Sequence, residues 1–63
     1  MKLKSWRAEK DLTQIELAEK VGVTPITVHL WEKGEVKPRV DVAIKVCEIL
    51  GCSVEDVEEF KDV

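Results

Sequence analysis

Several things a chain needs for membrane, secreted, metal-dependent or catalytic work are missing from this one. No apolar run approaches the roughly 20 residues that a membrane-crossing helix requires. The opening Met1-Lys2-Leu3-Lys4 lacks the apolar stretch of a secretory signal, so a cytoplasmic location and no membrane partner are expected. There is one histidine, and the two cysteines, Cys47 and Cys52, stand five apart. That set cannot supply four zinc ligands, and no metal or cofactor is expected. A disulfide between the two is disfavoured in a reducing compartment, and a free cysteine commonly acts as a small buried apolar residue. No glycine-rich phosphate loop and no nucleophile–base signature is present, which removes the usual basis for an enzyme or a small-molecule substrate. The acidic run over 55–59 reads as a solvated face rather than a catalytic pair. No segment alternates with period two, no internal repeat occurs, and no linker divides the chain. Tyrosine is absent, and the aromatics are two tryptophans and one phenylalanine.

What is present suits one small helical domain over residues 1–63. The 63 residues are 44% hydrophobic and 37% charged, a balance that favours a compact fold over disorder. A chain of this size covers only about 60% of its unfolded surface, so stability should be modest. The net charge of −3 is unevenly spread. The first ten residues carry +3, from Lys2, Lys4, Arg7 and Lys10 against Glu9. Residues 51–63 carry −4, from Glu55, Asp56, Glu58, Glu59 and Asp62 against Lys61. Away from that acidic end the chain is near neutral, which permits an anionic partner if the basic side chains share a face.

The punctuation predicts five helices and an all-α fold. The first, about residues 2–10, places Leu3 and Trp6 on one face at helical spacing, with the stem of Lys10 beside them. A polar turn at Asp11 follows. Thr13-Gln14-Ile15-Glu16 forms a capping box that opens a second helix, about 13–21, with Leu17, Ala18 and Val21 inward. Gly22 stops it, because glycine enters the left-handed region without a Cβ penalty. Thr24-Pro25 starts a third helix, about 25–33. Proline suits the first helical position and pushes Thr24 into an N-cap conformation. Val28 and Trp31 should face the core, and Gly34 ends the helix. A fourth helix, about 40–50, offers Val40, Ala43, Ile44, Cys47 and Leu50 as an apolar stripe and closes at Gly51. Ser53-Val54-Glu55-Asp56 caps a short fifth helix holding Val57 and Phe60.

Two short helices joined by about four residues, one of them glycine, form the helix-turn-helix pattern. The first braces the second so that its N-terminal residues can reach base edges in a DNA major groove. At this level the chain resembles the lambda-repressor-like (Cro/C1-type, or Xre-type) helix-turn-helix domains. "LTQIELAEKVGVT", "TVHLWEKG" and "KPRVDVAIKVCEILGCSVEDV" carry the likeness over nearly the whole length. The resemblance implies a compact five-helix domain that binds double-stranded DNA as a homodimer to repress or otherwise control transcription. It places Thr13 and Gln14 near a phosphate, with Gln14 also supporting the recognition helix. It turns Thr24, Pro25, Ile26, Thr27, His29 and Leu30 toward DNA, and sets Lys33, Lys37 and Arg39 around the following loop near the backbone. It also implies a structural ion pair between Arg7 and Glu32, with a phosphate contact as a further role for Arg7.

The tip departs from the family pattern. Relatives often carry Arg, Gln, Ser or Asn where Pro25, Ile26 and Leu30 stand, and bidentate readout of guanine or adenine needs such groups. Two explanations compete. In the first, the aliphatic groups pack on thymine methyls, Thr27 and His29 make a few polar contacts, and DNA shape adds discrimination. In the second, Ile15, Ile26 and Leu30 form an apolar patch for a protein partner, as in an antitoxin-like regulator. Val54, Val57 and Phe60 are candidate dimer contacts, with closure of the core as their alternative role.

Overall fold

The computed structural model describes residues 1–61, so Asp62 of the acidic end lies outside the described residues. Four α-helices follow in order: α1 Leu3–Glu9, α2 Gln14–Val21, α3 Pro25–Lys33 and α4 Val40–Leu50. The described residues contain no strand. The expected fifth helix is not one. In its place stand two consecutive 3-10 turns, Val54–Asp56 and Glu58–Phe60, interrupted at Val57, whose backbone is extended (φ −99°, ψ 116°). The Ser53 cap forms as expected, with Asp56 Oδ2 accepting from both the Ser53 amide and its hydroxyl at 3.0 Å. A tight turn puts residues three apart on one side, which turns both Val57 and Phe60 inward to complete burial.

The local start and stop signals act as the residue types dictate. Thr13 Oγ1 accepts from the Glu16 amide at 3.0 Å, and Glu16 Oε1 accepts from the Thr13 amide at 2.9 Å, completing the capping box of α2. At the far end Gly22 sits at φ 90°, and Val23 donates back to the Ala18 carbonyl at 3.0 Å. Helices α3 and α4 end in the same six-to-one bond after Gly34 and Gly51. The α1 exit makes the same bond, from the Leu12 amide to the Arg7 carbonyl at 3.1 Å, without a glycine. Asp11 takes φ 55°, a left-handed conformation that a short polar side chain tolerates better than most.

The core gathers Leu3, Leu17, Ala18, Val21, Val28, Trp31, Ala43, Val46, Cys47, Leu50, Val57 and Phe60. Trp31 and Phe60 meet edge to face, with centroids 6.1 Å apart, a favoured aromatic geometry. On α4 the buried stripe is rotated from the one expected. Val46 is fully buried, whereas Val40 and Ile44 keep 58% and 47% of their surface. Helical spacing allowed either set, and the direction from which α2 and the 3-10 turns approach selected Ala43, Val46, Cys47 and Leu50. Burial, then the neighbouring Cys52, pushes the Cys47 thiol up to about 12. Cys47 is therefore a packing residue with almost no thiolate near neutral pH.

The chain ends are tied to each other. The Lys2 cap of α1 offers no side-chain bond, and no acid lies in its first turn. Glu59 supplies one from the far end of the chain, its Oε1 accepting from the Leu3 amide at 2.8 Å. Trp6 Nε1 donates to the Asp56 carbonyl at 3.0 Å, and the Glu58 amide donates to the Met1 carbonyl at 3.1 Å. The C-terminal turns thus hold the start of α1 in place.

Candidate nucleic-acid interface

The face in question is made by the first turn of α2 and the N-terminal half of α3. A half-buried polar junction beneath it sets their relation. Arg7 of α1 donates through Nε to Glu32 Oε2 at 2.7 Å and through Nη1 to the Leu12 carbonyl at 2.7 Å. Its Nη2 lies 3.4 Å from Glu32 Oε1. Gln14 of α2 donates through Nε2 to that same Glu32 Oε1 at 2.9 Å. One carboxylate of α3 therefore holds α1 and α2 together. The Arg7 and Glu32 side chains are 14% and 8% exposed, so the pair is well shielded from salt. The Glu32 charge is answered inside the protein and adds little repulsion toward an anionic ligand.

Gln14 has a second contact. Its Nε2 lies 3.4 Å from His29 Nδ1. A carboxylate oxygen can only accept, so the Gln14 amide must present its nitrogen here, and both of its hydrogens are directed within the protein. The His29 imidazole beside it is exposed.

Helix α3 begins at a Thr24 cap (φ −82°, ψ 154°) with Pro25 in its first turn. Thr24 Oγ1 accepts from the Thr27 amide at 3.3 Å and lies 2.9 Å from the Thr27 hydroxyl. The two hydroxyls therefore share one hydrogen between them. Of the residues assigned to this face, Thr13, Thr24, Pro25, Ile26 and His29 are exposed, and Gln14, Thr27 and Leu30 are half-buried. Ile26 keeps 70% of its surface and Ile15 keeps 59%. Of the apolar trio considered for a protein partner, Leu30 is thus the least available.

The basic residues at the end of α3 and in the following loop are exposed. Lys33 Nζ lies 3.1 Å from Glu35 Oε2, and Arg39 Nε lies 3.6 Å from Asp41 Oδ1. Exposed pairs of this kind are weak and exchange readily for a phosphate. Lys37 is exposed in the loop between them. Val57 and Phe60, candidates for dimer contact, have no accessible surface and serve the core. They cannot reach a partner, because the 3-10 turns point them inward. Val54 is half-buried against the same core.

One structural group has no local signal in the sequence: Glu59 caps α1 over a separation of 56 residues. Gln14 supports α3 as the resemblance implies, and the bond to Glu32 is what does so.

The helix-turn-helix family profile matches residues 3–57. The chain belongs to that family. An HTH-type transcriptional regulator of Methanocaldococcus jannaschii is 39% identical over 61 residues, covering 97% of this chain and 92% of the relative. The HTH-type transcriptional regulator YgzD of Bacillus subtilis is 41% identical over 56 residues, covering 89% of this chain and 85% of the relative. Among solved structures, the clp gene regulator ClgR from Corynebacterium glutamicum superposes with a TM-score of 0.78 at 39% identity. That match covers 86% of this chain and 57% of the ClgR chain. The helix-turn-helix assignment and the homologous regulators make this chain a DNA-binding transcriptional regulator. No helix among the described residues is long and apolar enough to cross a membrane.

Proposed function

We propose that this regulator binds duplex DNA sequence-specifically in the cytoplasm, as a repressor, by laying the N-terminal half of α3 in the major groove. Binding rather than catalysis is its work. The observation that carries this reading is the Arg7–Glu32–Gln14 junction, which locks α2 and α3 behind an otherwise exposed face. Thr13, Lys33, Lys37 and Arg39 would meet phosphates and Gln14 would steady α3 through Glu32, while Thr24, Pro25, Ile26, Thr27, His29 and Leu30 face the bases. Two copies related by a two-fold axis would place recognition helices about 34 Å apart, one per half-site. Few cations serve each copy, so pairing on DNA supplies affinity that one copy lacks, and phosphate contacts make it salt-dependent.

A selection from randomised duplexes at two salt concentrations, followed by sequencing of the bound pool, tests this. An enriched two-fold motif with affinity falling steeply between the two salts is expected. Flat binding without a motif or a salt slope would sink the DNA reading and leave the exposed Ile15 and Ile26 as a protein-binding patch. Sedimentation with and without the selected duplex checks the pairing, and site-specific binding by a single copy would remove it.

A further inference from the structure

At the start of α3 the polar groups are partly engaged with one another, and the exposed His29 lies a turn further on. The Thr27 hydroxyl is shared with Thr24 at 2.9 Å. Both hydrogens of the Gln14 amide are directed at Glu32 and His29. What stands clear at the start of α3 is apolar, with Pro25 exposed and Ile26 keeping 70% of its surface. An aliphatic side chain in a major groove can exchange no hydrogen bond with a base edge. The apolar group offered there is the methyl on C5 of thymine, and burying methyl against methyl is favourable in proportion to the area removed from water.

From this we propose that Ile26, seated beside Pro25, reads the C5-methyl group of a pyrimidine, so that 5-methylcytosine substitutes for thymine and cytosine methylation creates binding sites. The inference rests on the DNA reading above and adds the chemical group recognised. Ile26 carries no donor or acceptor, so it is blind to the exchange of thymine O4 for the cytosine amino group. Thymine and 5-methylcytosine share the one feature it can sense. Pyrimidines lacking that methyl, deoxyuridine and cytosine, would leave Ile26 against water in the groove.

The test uses the full chain and the duplex selected above, with each thymine of one half-site replaced in turn by deoxyuridine, cytosine or 5-methylcytosine. At one position, deoxyuridine should weaken binding about fourfold, the loss of one buried methyl. Cytosine should weaken it at least as much, and methylating that cytosine should restore the loss. In Ile26→Ala, whose exposed position leaves folding intact, the thymine and deoxyuridine duplexes should bind alike. Equal binding of thymine and deoxyuridine at every position by the unsubstituted protein would overturn the methyl reading and leave DNA binding standing. So would a methyl effect that persists in Ile26→Ala, or a selected site without thymine. Failure to bind any duplex would overturn both.

Discussion

Arg7 does more than its charge indicates. It satisfies a carboxylate that is 8% exposed and a backbone carbonyl at the same time. Removing it leaves Glu32 charged in a shielded site with only Gln14 to answer it. Arg7→Ala should therefore cost about 2–4 kcal/mol of stability, measured by urea unfolding followed through tryptophan fluorescence. Arg7→Lys should recover only part of this, because an ammonium cannot reproduce the guanidinium fork. A variant with full stability and weakened DNA binding alone would show that Arg7 acts on phosphate rather than on the fold. The neighbouring Gln14 shows the limit of reading a residue in isolation. Its type fits a phosphate contact, yet its amide hydrogens are turned inward by Glu32 and His29.

At the level of elements, α2 and α3 carry their own side-chain caps, whereas α1 borrows one from Glu59, and the capping carboxylates carry a pH signature. Hydrogen bonds from the Thr13 amide and hydroxyl hold the Glu16 carboxyl below its ordinary 4.5. Those from Ser53 hold Asp56 below its ordinary 3.8. Both folded values are depressed, so their contribution is present above the ordinary values and is lost as pH falls through the folded ones. Stability should thus decline as pH drops below about 4.5, with the loss continuing below 3.8. Glu16→Gln should flatten the upper part of that decline in acid-dependent urea midpoints, and Asp56→Asn the lower part. An unchanged profile in both variants would mean that other carboxylates govern acid unfolding. The acidic end that looked like an extra helix also belongs here. Its composition and cap suited a helix, but the extended backbone at Val57 divides it into two 3-10 turns that bury Val57 and Phe60.

Among the described residues twelve buried hydrophobic side chains form the core that the whole fold rests on, and two of them, Val57 and Phe60, arrive from the last described segment. Phe60 packs edge-on against Trp31 of α3, so the C-terminal turns support the recognition helix directly. A domain of this length commands only about 3–9 kcal/mol of stability. Phe60→Ala should remove about 3–5 kcal/mol, enough to leave a large unfolded fraction at 37 °C. Far-UV circular dichroism would show it as lost helicity with a lowered midpoint. Native helicity and an unchanged midpoint would place Phe60 outside the core.

Helix bounds, caps and stops were legible in the residues because each depends on groups within five positions of one another. Thr13 with Glu16, Gly22 with Ala18, and Thr24 with Pro25 need no distant partner. The helix-turn-helix itself followed from that local punctuation, and with it the face now assigned to DNA. Which stripe of α4 is buried was not legible, since Val40 and Ile44 fit helical spacing as well as Val46 does. The Glu59 cap on α1 and the inward turn of Phe60 were likewise hidden. Such choices are made by the directions in which elements approach, and a periodicity carries no information about direction. The surface of α3 divides in the same way. Its aliphatic composition was plain in Pro25, Ile26 and Leu30. Only packing showed that Leu30 is half-buried, that Thr27 and Gln14 are already engaged, and that Ile26 is left exposed.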